Sequence, residues 1–366
     1  MDRISRRDLV LGGAVLAAGT AAGPAGAADP IRSVPSLGAL AAARGVTYGA
    51  SIDRTVLTDA RLAELYRHQT RIVTTDVALK FGSIRPQPTV ADYTDGDALV
   101  AFAAQAGLAV RGHTLAWNAY QPDWVDKLSP KEAAYWLDRH IAETVGRYAG
   151  RLHSWDVVNE PLWPDDGNPG SLRGGPWFRA LGPDYIRRAF VAAHRADPNV
   201  RLVLNEASPE WKVAFGPTEI YRTALLRLVD DLQHAGIRLD AVGLECHWFP
   251  DFVFDRAIFS KLVRDLAARK LEVYVTELDV NDLRMQGNDT RRDAQVAARY
   301  AEIMAAALAE PAVTVIQTWQ LSDAQSWLNG VAEPDYHTIR KPRPLPFDRD
   351  YAPKPAYHAM ADALLR

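Results

Sequence analysis

Eight short runs rich in β-branched and apolar residues recur along this chain, and a helical pattern follows each of them, which narrows its possible folds more than any other feature. The runs are Val46–Tyr48, Arg71–Thr75, Leu108–Gly112, Ser154–Val158, Arg201–Leu204, Ala241–Leu244, Leu271–Val275 and Val313–Gln317. Between them apolar residues return at spacings of three and four, as in Leu62, Leu65 and Tyr66, and across Ala133–Val145, Ile220–Leu232, Phe259–Leu266 and Val296–Leu308. Local punctuation agrees with this reading. Ser129-Pro130-Lys131-Glu132 reads as an N-cap, a proline at the first helical position and a capping-box glutamate, while Gly107 and Gly236 fall where helices should stop. The 366 residues show no internal repeat and no Pro/Ser-rich linker, so eight βα units predict an α/β protein with a single closed (β/α)8 TIM barrel rather than two doubly wound domains.

The segment before the first run reads differently. Ser5-Arg6-Arg7-Asp8-Leu9 sets paired arginines ahead of an apolar stretch from Leu9 to Ala18, and small residues follow to Ala25-Gly26-Ala27. That pattern predicts an export signal of the twin-arginine type over residues 1–28, with residues 29–366 forming the barrel and working in the periplasm or outside the cell. The apolar stretch is shorter than the ~20 residues a bilayer span needs, so no membrane anchor is expected. Cys246 is the single cysteine, which excludes an intramolecular disulfide; it follows a strand and is expected to be inert. The balance of 42 Lys+Arg against 45 Asp+Glu, with no basic run, leaves no electrostatic footprint for nucleic acid and favours a neutral substrate. A monomer is expected, its partner being its substrate.

In a (β/α)8 barrel chemistry sits at the C-terminal ends of the strands. Here those positions are polar and aromatic: His113-Thr114-Leu115-Ala116-Trp117, Asn159-Glu160-Pro161, Asn205-Glu206, Glu245-Cys246-His247-Trp248, Glu277-Leu278-Asp279, then Trp319, Ser326 and Trp327. Carboxylates and tryptophans at one rim suit a sugar, since flat apolar rings match pyranose faces while hydroxyls need polar partners. Hydrolysis of a glycosidic bond needs one carboxyl to protonate the leaving oxygen and a second to attack or stabilise the anomeric carbon from the other side. Glu160 and Glu277 follow the fourth and seventh runs, which lie on opposite sides of an eight-stranded ring and face a shared mouth.

These residues resemble glycoside hydrolase family 10, the retaining endo-β-1,4-xylanases. The resemblance spans residues 45–360 and rests on Arg111-Gly112-His113-Thr114-Leu115-Ala116-Trp117, Trp155-Asp156-Val157-Val158-Asn159-Glu160, Gly243-Leu244-Glu245-Cys246-His247, Val275-Thr276-Glu277-Leu278-Asp279, and Trp319 through Ser322-Asp323 to Ser326-Trp327, in family order. It implies Glu160 as acid/base and Glu277 as nucleophile, with His247 hydrogen-bonded to the nucleophile and oriented by Asp279. It implies Asn159 on the 2-hydroxyl of the sugar at the cleaved bond. His113, Trp117, Asn205, Trp319 and Trp327 match positions shaping that subsite, and Lys80 matches a family lysine after the second strand.

Several positions depart from the family pattern. Asp76-Val77 stands where the family usually has Glu-Asn, which predicts weaker contacts to the next sugar toward the non-reducing end. Asn118 and Tyr120 replace the usual His and Gln, Gln121 coming one place late. Glu245 replaces a glutamine two residues before His247; it is expected either to place its carboxyl near Glu160, so that the two resist simultaneous ionisation, or to turn away and pair with a rim Arg or Lys. Residues 161–176 form a Pro/Gly/Asp-rich stretch expected to be a binding loop carrying Trp163. Trp124, Trp136, Trp155, Trp177 and Trp211 are expected to pack rather than to contact sugar. Histidines 113 and 247 lack an H-x-H pair or an accompanying carboxylate cluster in the sequence, so no metal is expected, and no cofactor. The resulting expectation is a retaining endo-β-1,4-glycanase with xylan as substrate. The alternatives are the same mechanism on another β-glycan or a decorated xylooligosaccharide, and a non-catalytic glycan-binding barrel, against which the presence of both glutamates argues.

Overall fold

The computed structural model describes residues 31–214, 216–330 and 340–366. Eight parallel strands form the barrel: β1 Thr47–Ile52, β2 Ile72–Thr75, β3 Ala109–Gly112, β4 Ser154–Asn159, β5 Arg201–Glu206, β6 Ala241–Leu244, β7 Glu272–Val280 and β8 Val313–Thr318. Each pairs with its neighbour in sequence, and β8 pairs with both β7 and β1, so the ring closes. The strands fall on the eight runs read from the sequence. Closure hides both faces of every strand, which is why nearly every strand residue is buried.

The main helices following the strands are α1 Ala60–Gln69, α2 Thr94–Ala106, α3 Pro130–Arg147, α4 Asp184–Ala196, α5 Thr218–His234, α6 Arg256–Ala268, α7 Asp289–Ala307 and α8 Pro355–Leu365. The capping box at Ser129 and Glu132 forms in both directions at the start of α3. Gly107 ends α2 in the left-handed conformation, φ 68°. A short helix, Leu37–Ala43, precedes β1 and lies against it and α8.

The barrel interior is layered by chemistry. Ile72, Val203, Ala241, Tyr274 and Val315 plug its lower end as a separate apolar cluster. Above them lies Arg111, fully buried, its guanidinium stacked 5.5 Å from the Tyr274 ring centroid. Arg111 donates to Gln317 Oε1 at 2.7 Å and pairs with Asp156. A buried guanidinium is tolerated because its charge is matched by Asp156 and both terminal nitrogens donate. The mouth opens above this polar layer.

Five strands continue past the points where their apolar runs end, β7 farthest. β7 extends to Val280 and so contains Glu277 and Asp279, which the sequence reading placed just beyond it. Its pairing with β8 slips between Ile316↔Val275 and Thr318↔Leu278, three residues of β7 spanning two of β8. A similar slip in β4 lies between Asp156 and Val158. Such bulges re-aim side chains; the first contains Glu277 and the second ends two residues before Glu160.

Candidate active site

The mouth is assembled by short strand extensions beyond the barrel proper. Ala116–Trp117 pairs alongside Val158 and Asn159, bringing Trp117 to the residue that follows β4. His247–Trp248 pairs alongside Asp279 and Val280, bringing His247 to the upper end of β7. Glu160 itself sits at φ 48° and Cys246 at φ 59°. Left-handed backbone at non-glycine residues is costly and persists where surrounding structure over-determines it. Here backbone bonds do so: Glu160 N–H donates to Asn205 O at 2.9 Å, and Cys246 N–H donates to Glu210 Oε1 at 2.9 Å.

Asn205 is the hub between the two sides. Its Nδ2 donates to Asn159 Oδ1 at 2.7 Å and Glu277 Oε1 at 2.8 Å, with a longer contact of 3.3 Å to Glu245 Oε1. Its Oδ1 accepts from Thr276 Oγ1 at 2.8 Å, which fixes which way the amide faces. The neighbouring strand must be glycine at this level, since a Cβ on Gly243 would lie 2.0 Å from Asn205 Oδ1. Backbone and side chain of this single residue thus tie Glu160 and Glu277 into one unit.

Glu277 is 5% exposed. Its other oxygen lies 3.3 Å from His247 Nε2, whose Nδ1 lies 2.9 Å from Asp279 Oδ1, and Asp279 Oδ2 accepts from Trp327 Nε1 at 2.6 Å. Burial acts to discharge His247, yet Asp279 and Glu277 on its two sides outweigh it and hold the imidazole protonated well above its ordinary range. Burial likewise acts to raise Glu277, but the hydrogen bond from His247 and the positive charges around it keep this carboxyl below the usual value. Glu277 is therefore held as a carboxylate.

Glu160 is held differently. Its Oε2 accepts from Trp117 Nε1 at 3.1 Å and from Arg173 at 2.6 Å. Arg173 comes from the 161–176 segment, where Leu162 and Leu172 pair antiparallel and two short 3₁₀ turns, Pro164–Asp166 and Pro169–Ser171, close the loop. Its guanidinium also stacks 4.5 Å from the Trp163 ring centroid. The loop is anchored at its start by buried Glu206, which accepts from Leu162 N–H at 3.0 Å. Burial pushes the Glu206 carboxyl well up, partly offset by Arg173.

The remaining residues singled out from sequence line the same mouth. His113 Nδ1 is 2.9 Å from Asp156 Oδ2, so the Arg111–Asp156 pair in the barrel orients this ring. Trp319 packs against it edge-on at 5.2 Å. Lys80 is 8% exposed and its Nζ lies 4.8 Å from the Trp117 ring centroid, 5.6 Å from Tyr120 and 6.0 Å from Trp319. Asp76 is 3.8 Å from Lys80 Nζ and accepts from Gln320 Nε2 at 3.1 Å, while Tyr66 donates to the other end of that Gln320 amide at 2.8 Å. Burial raises the Asp76 carboxyl despite Lys80 and Gln320. Val77 and Tyr120 are exposed beside them.

Glu245 was expected to face Glu160 or to turn away to a rim Arg or Lys. After burial, its strongest charge contact is with Glu277 and its second with Glu160, and together these raise it well above the ordinary carboxyl range. One of its oxygens also lies within 4.8 Å of a Glu277 oxygen, since Glu245 follows β6 and β6 pairs with β7 in register. Trp155, Trp177 and Trp211 are fully buried and Cys246 is sealed in the core, in keeping with packing roles. Arg173, Glu210 and Gln320 were not read from the sequence, and Arg111 was read only as the first residue of a family motif. A charged residue inside a β-branched run, as Arg111 is, signals a buried partner; Arg173 lay inside a loop already singled out, with nothing to aim it at Glu160.

The family profile for glycosyl hydrolase family 10 matches residues 36–363. A β-1,4-xylanase of Dictyoglomus thermophilum is 31% identical over 298 residues, covering 78% of this chain and 79% of its own. An endo-1,4-β-xylanase A of Caldicellulosiruptor sp. is 29% identical over 86% of this chain, which spans 46% of that longer protein. Among solved structures, xylanase 10B from Thermotoga petrophila in complex with xylobiose superposes with a TM-score of 0.81 at 27% identity, covering 91% of this chain and 98% of that one. The chain belongs to glycosyl hydrolase family 10 and is a glycoside hydrolase.

Proposed function

We propose that this glycoside hydrolase is a retaining endo-β-1,4-xylanase in which Glu277 is the nucleophile and Glu160 the acid/base. The observation that carries the reading is the Asn205 hub, which ties the two glutamates from opposite sides of the barrel into one hydrogen-bonded unit. Glu277, kept ionised by His247, attacks the anomeric carbon as Glu160 gives its proton to the leaving oxygen, leaving a glycosyl-enzyme ester. Glu160, now a carboxylate, takes a proton from water, and that water displaces Glu277 with a second inversion, so configuration is retained. Asn159 spends its carbonyl oxygen on Asn205, and its amide N–H2 has no protein partner among the described residues, which suits it to the sugar 2-hydroxyl. Trp319, Trp327, Trp117 and His113 supply the walls, and Lys80 the far side.

Sugar release from xylan, arabinoxylan and mixed-linkage β-glucan, with the anomer of the first product followed by proton NMR, tests this. The β-anomer from xylan is expected; the α-anomer would remove Glu277 as nucleophile, and release from β-glucan alone would replace the substrate. A second reading, the same mechanism on another β-glycan, draws support from Asp76, whose carboxylate is engaged with Gln320 and Lys80, and from Val77, which offers no hydrogen bond to a sugar.

Export belongs to the same reading. Residues 1–28, a twin-arginine-type signal in sequence, lie outside the described residues, and no helix among the described residues is long and apolar enough to cross a membrane. Replacing Arg6 and Arg7 together with lysine should retain the precursor in the cytoplasm; unchanged export would assign the segment to a different route.

A further inference from the structure

Glu245 stands apart from the other cleft carboxylates in how little the protein bonds it. It is 3% exposed, yet its hydrogen bonding among the described residues is one 3.3 Å contact from Asn205 Nδ2, an amide with two shorter acceptors. A buried carboxylate with one weak donor is left largely uncompensated. Like charge from Glu277 and Glu160 adds to the cost.

The neighbours of this carboxylate form a donor set. One ligand atom from each of Glu245, His247 and Glu277 lies within 4.8 Å of the others. His247 Nε2 and Glu277 Oε2 are 3.3 Å apart. In a tetrahedral zinc site with bonds of about 2.1 Å, adjacent ligand atoms sit ~3.4 Å apart, so two of the three donors already have the spacing and the weakly held third needs a side-chain rotation to join them. The histidine is oriented from behind as well: Asp279 Oδ1 is 2.9 Å from Nδ1 and is itself fixed through Trp327, the carboxylate–histidine–metal arrangement that fixes a ligand ring.

We propose that Glu245, His247 and Glu277 form a binding site for a divalent transition cation, Zn2+ in particular, which occupies the cleft in competition with the sugar. Two carboxylates and an imidazole suit Zn2+, whereas Mg2+ and Ca2+ take oxygen ligands, and the side facing the cleft leaves a fourth position for water. Glu245 supplies the third donor; a glutamine there would leave two. Binding displaces the proton on His247 Nε2 and any proton on the Glu245 carboxyl, and these go to solvent. The donor set stands whichever glycan the enzyme cleaves.

The test is calorimetric titration of the metal-stripped full chain with Zn2+ alone near neutral pH, repeated in buffers of different ionisation enthalpy to count protons. One equivalent should bind with proton release. E245Q should bind on the order of tenfold more weakly or worse. Thermal melting of E245Q shows that the variant is folded, and saturating xylotriose should suppress the binding heat in the parent. Absence of a one-to-one event, or E245Q binding as tightly as the parent, would each overturn the site. Sugar release by the metal-stripped enzyme reports on the hydrolase reading independently.

Discussion

Glu277 and Glu160 are both bonded to Asn205, yet the protein holds their carboxyls by different means. Glu277 belongs to a barrel strand, and each group touching it, Asn205 on β5 and His247 on the extension beside β7, is on or paired to the sheet. Glu160 comes one residue after a strand ends, in left-handed backbone, and its side-chain partners are Trp117 and a loop arginine. The difference matches two tasks. A nucleophile must keep one charge state and one position, which a rigid, charge-complemented site provides. A group that gives up a proton and later takes one back has to tolerate both states, and a partly open, loop-bounded site allows that.

Breaking each side should show the contrast. Glu277→Ala should abolish turnover on all substrates, by on the order of 10⁴-fold or more in kcat. Glu160→Ala should cost about 10²- to 10⁴-fold on xylan, while an aryl xyloside whose leaving group needs no protonation is spared in its first step. Equal losses on both substrates in Glu160→Ala would mean that Glu160 is not the acid.

The charge chain behind Glu277 can be weakened without touching the carboxylate. Asp279→Asn removes the charge that holds His247 protonated, so His247 should lose its proton at lower pH and cease to hold Glu277 down. The Glu277 carboxyl should then rise, and the acid limb of kcat/KM, which marks its ionisation, should move to higher pH. An unmoved limb would separate the histidine from the nucleophile. The segment after β2 offers a gain instead. Val77→Asn adds a donor and an acceptor at an exposed position beside Asp76, and one new hydrogen bond of about 0.5–1.5 kcal/mol should raise kcat/KM on xylooligosaccharides several-fold. A loss would show that this pocket is shaped for another sugar.

The smallest effect concerns stability. The folded state holds Glu245 protonated above its ordinary range, so between that range and its raised value the folded chain binds more protons than the unfolded one, and stability falls as pH rises. Glu245→Gln removes this burden. The variant should melt about 2 °C or more above the parent in mildly alkaline buffer, and the gap should close toward pH 4. A gap that does not change with pH would assign the effect to packing.

What the sequence determined by itself was the alternation of strand and helix, hence the barrel, and through strand ends the set of residues at its mouth. β-branched runs and helical spacing are local signals, and closing the ring follows from short connections and buried faces. Glu160, Glu277, His247 and Asp279 were legible because each stands at or just beyond the end of an apolar run. The tertiary structure alone decided who bonds to whom across strands. Asn205 reaches the Glu277 carboxylate with its side chain and the Glu160 backbone with its carbonyl because β4, β5 and β6 stand in register and Gly243 leaves room. Arg173 reaches Glu160 because a loop folds back on Leu162. Glu245 comes near Glu277 because β6 and β7 are neighbours, a distance of thirty-two positions in the chain that no local pattern records. Hydrogen bonds and charge contacts act through space over a few ångströms, so their partners emerge once the ring has closed.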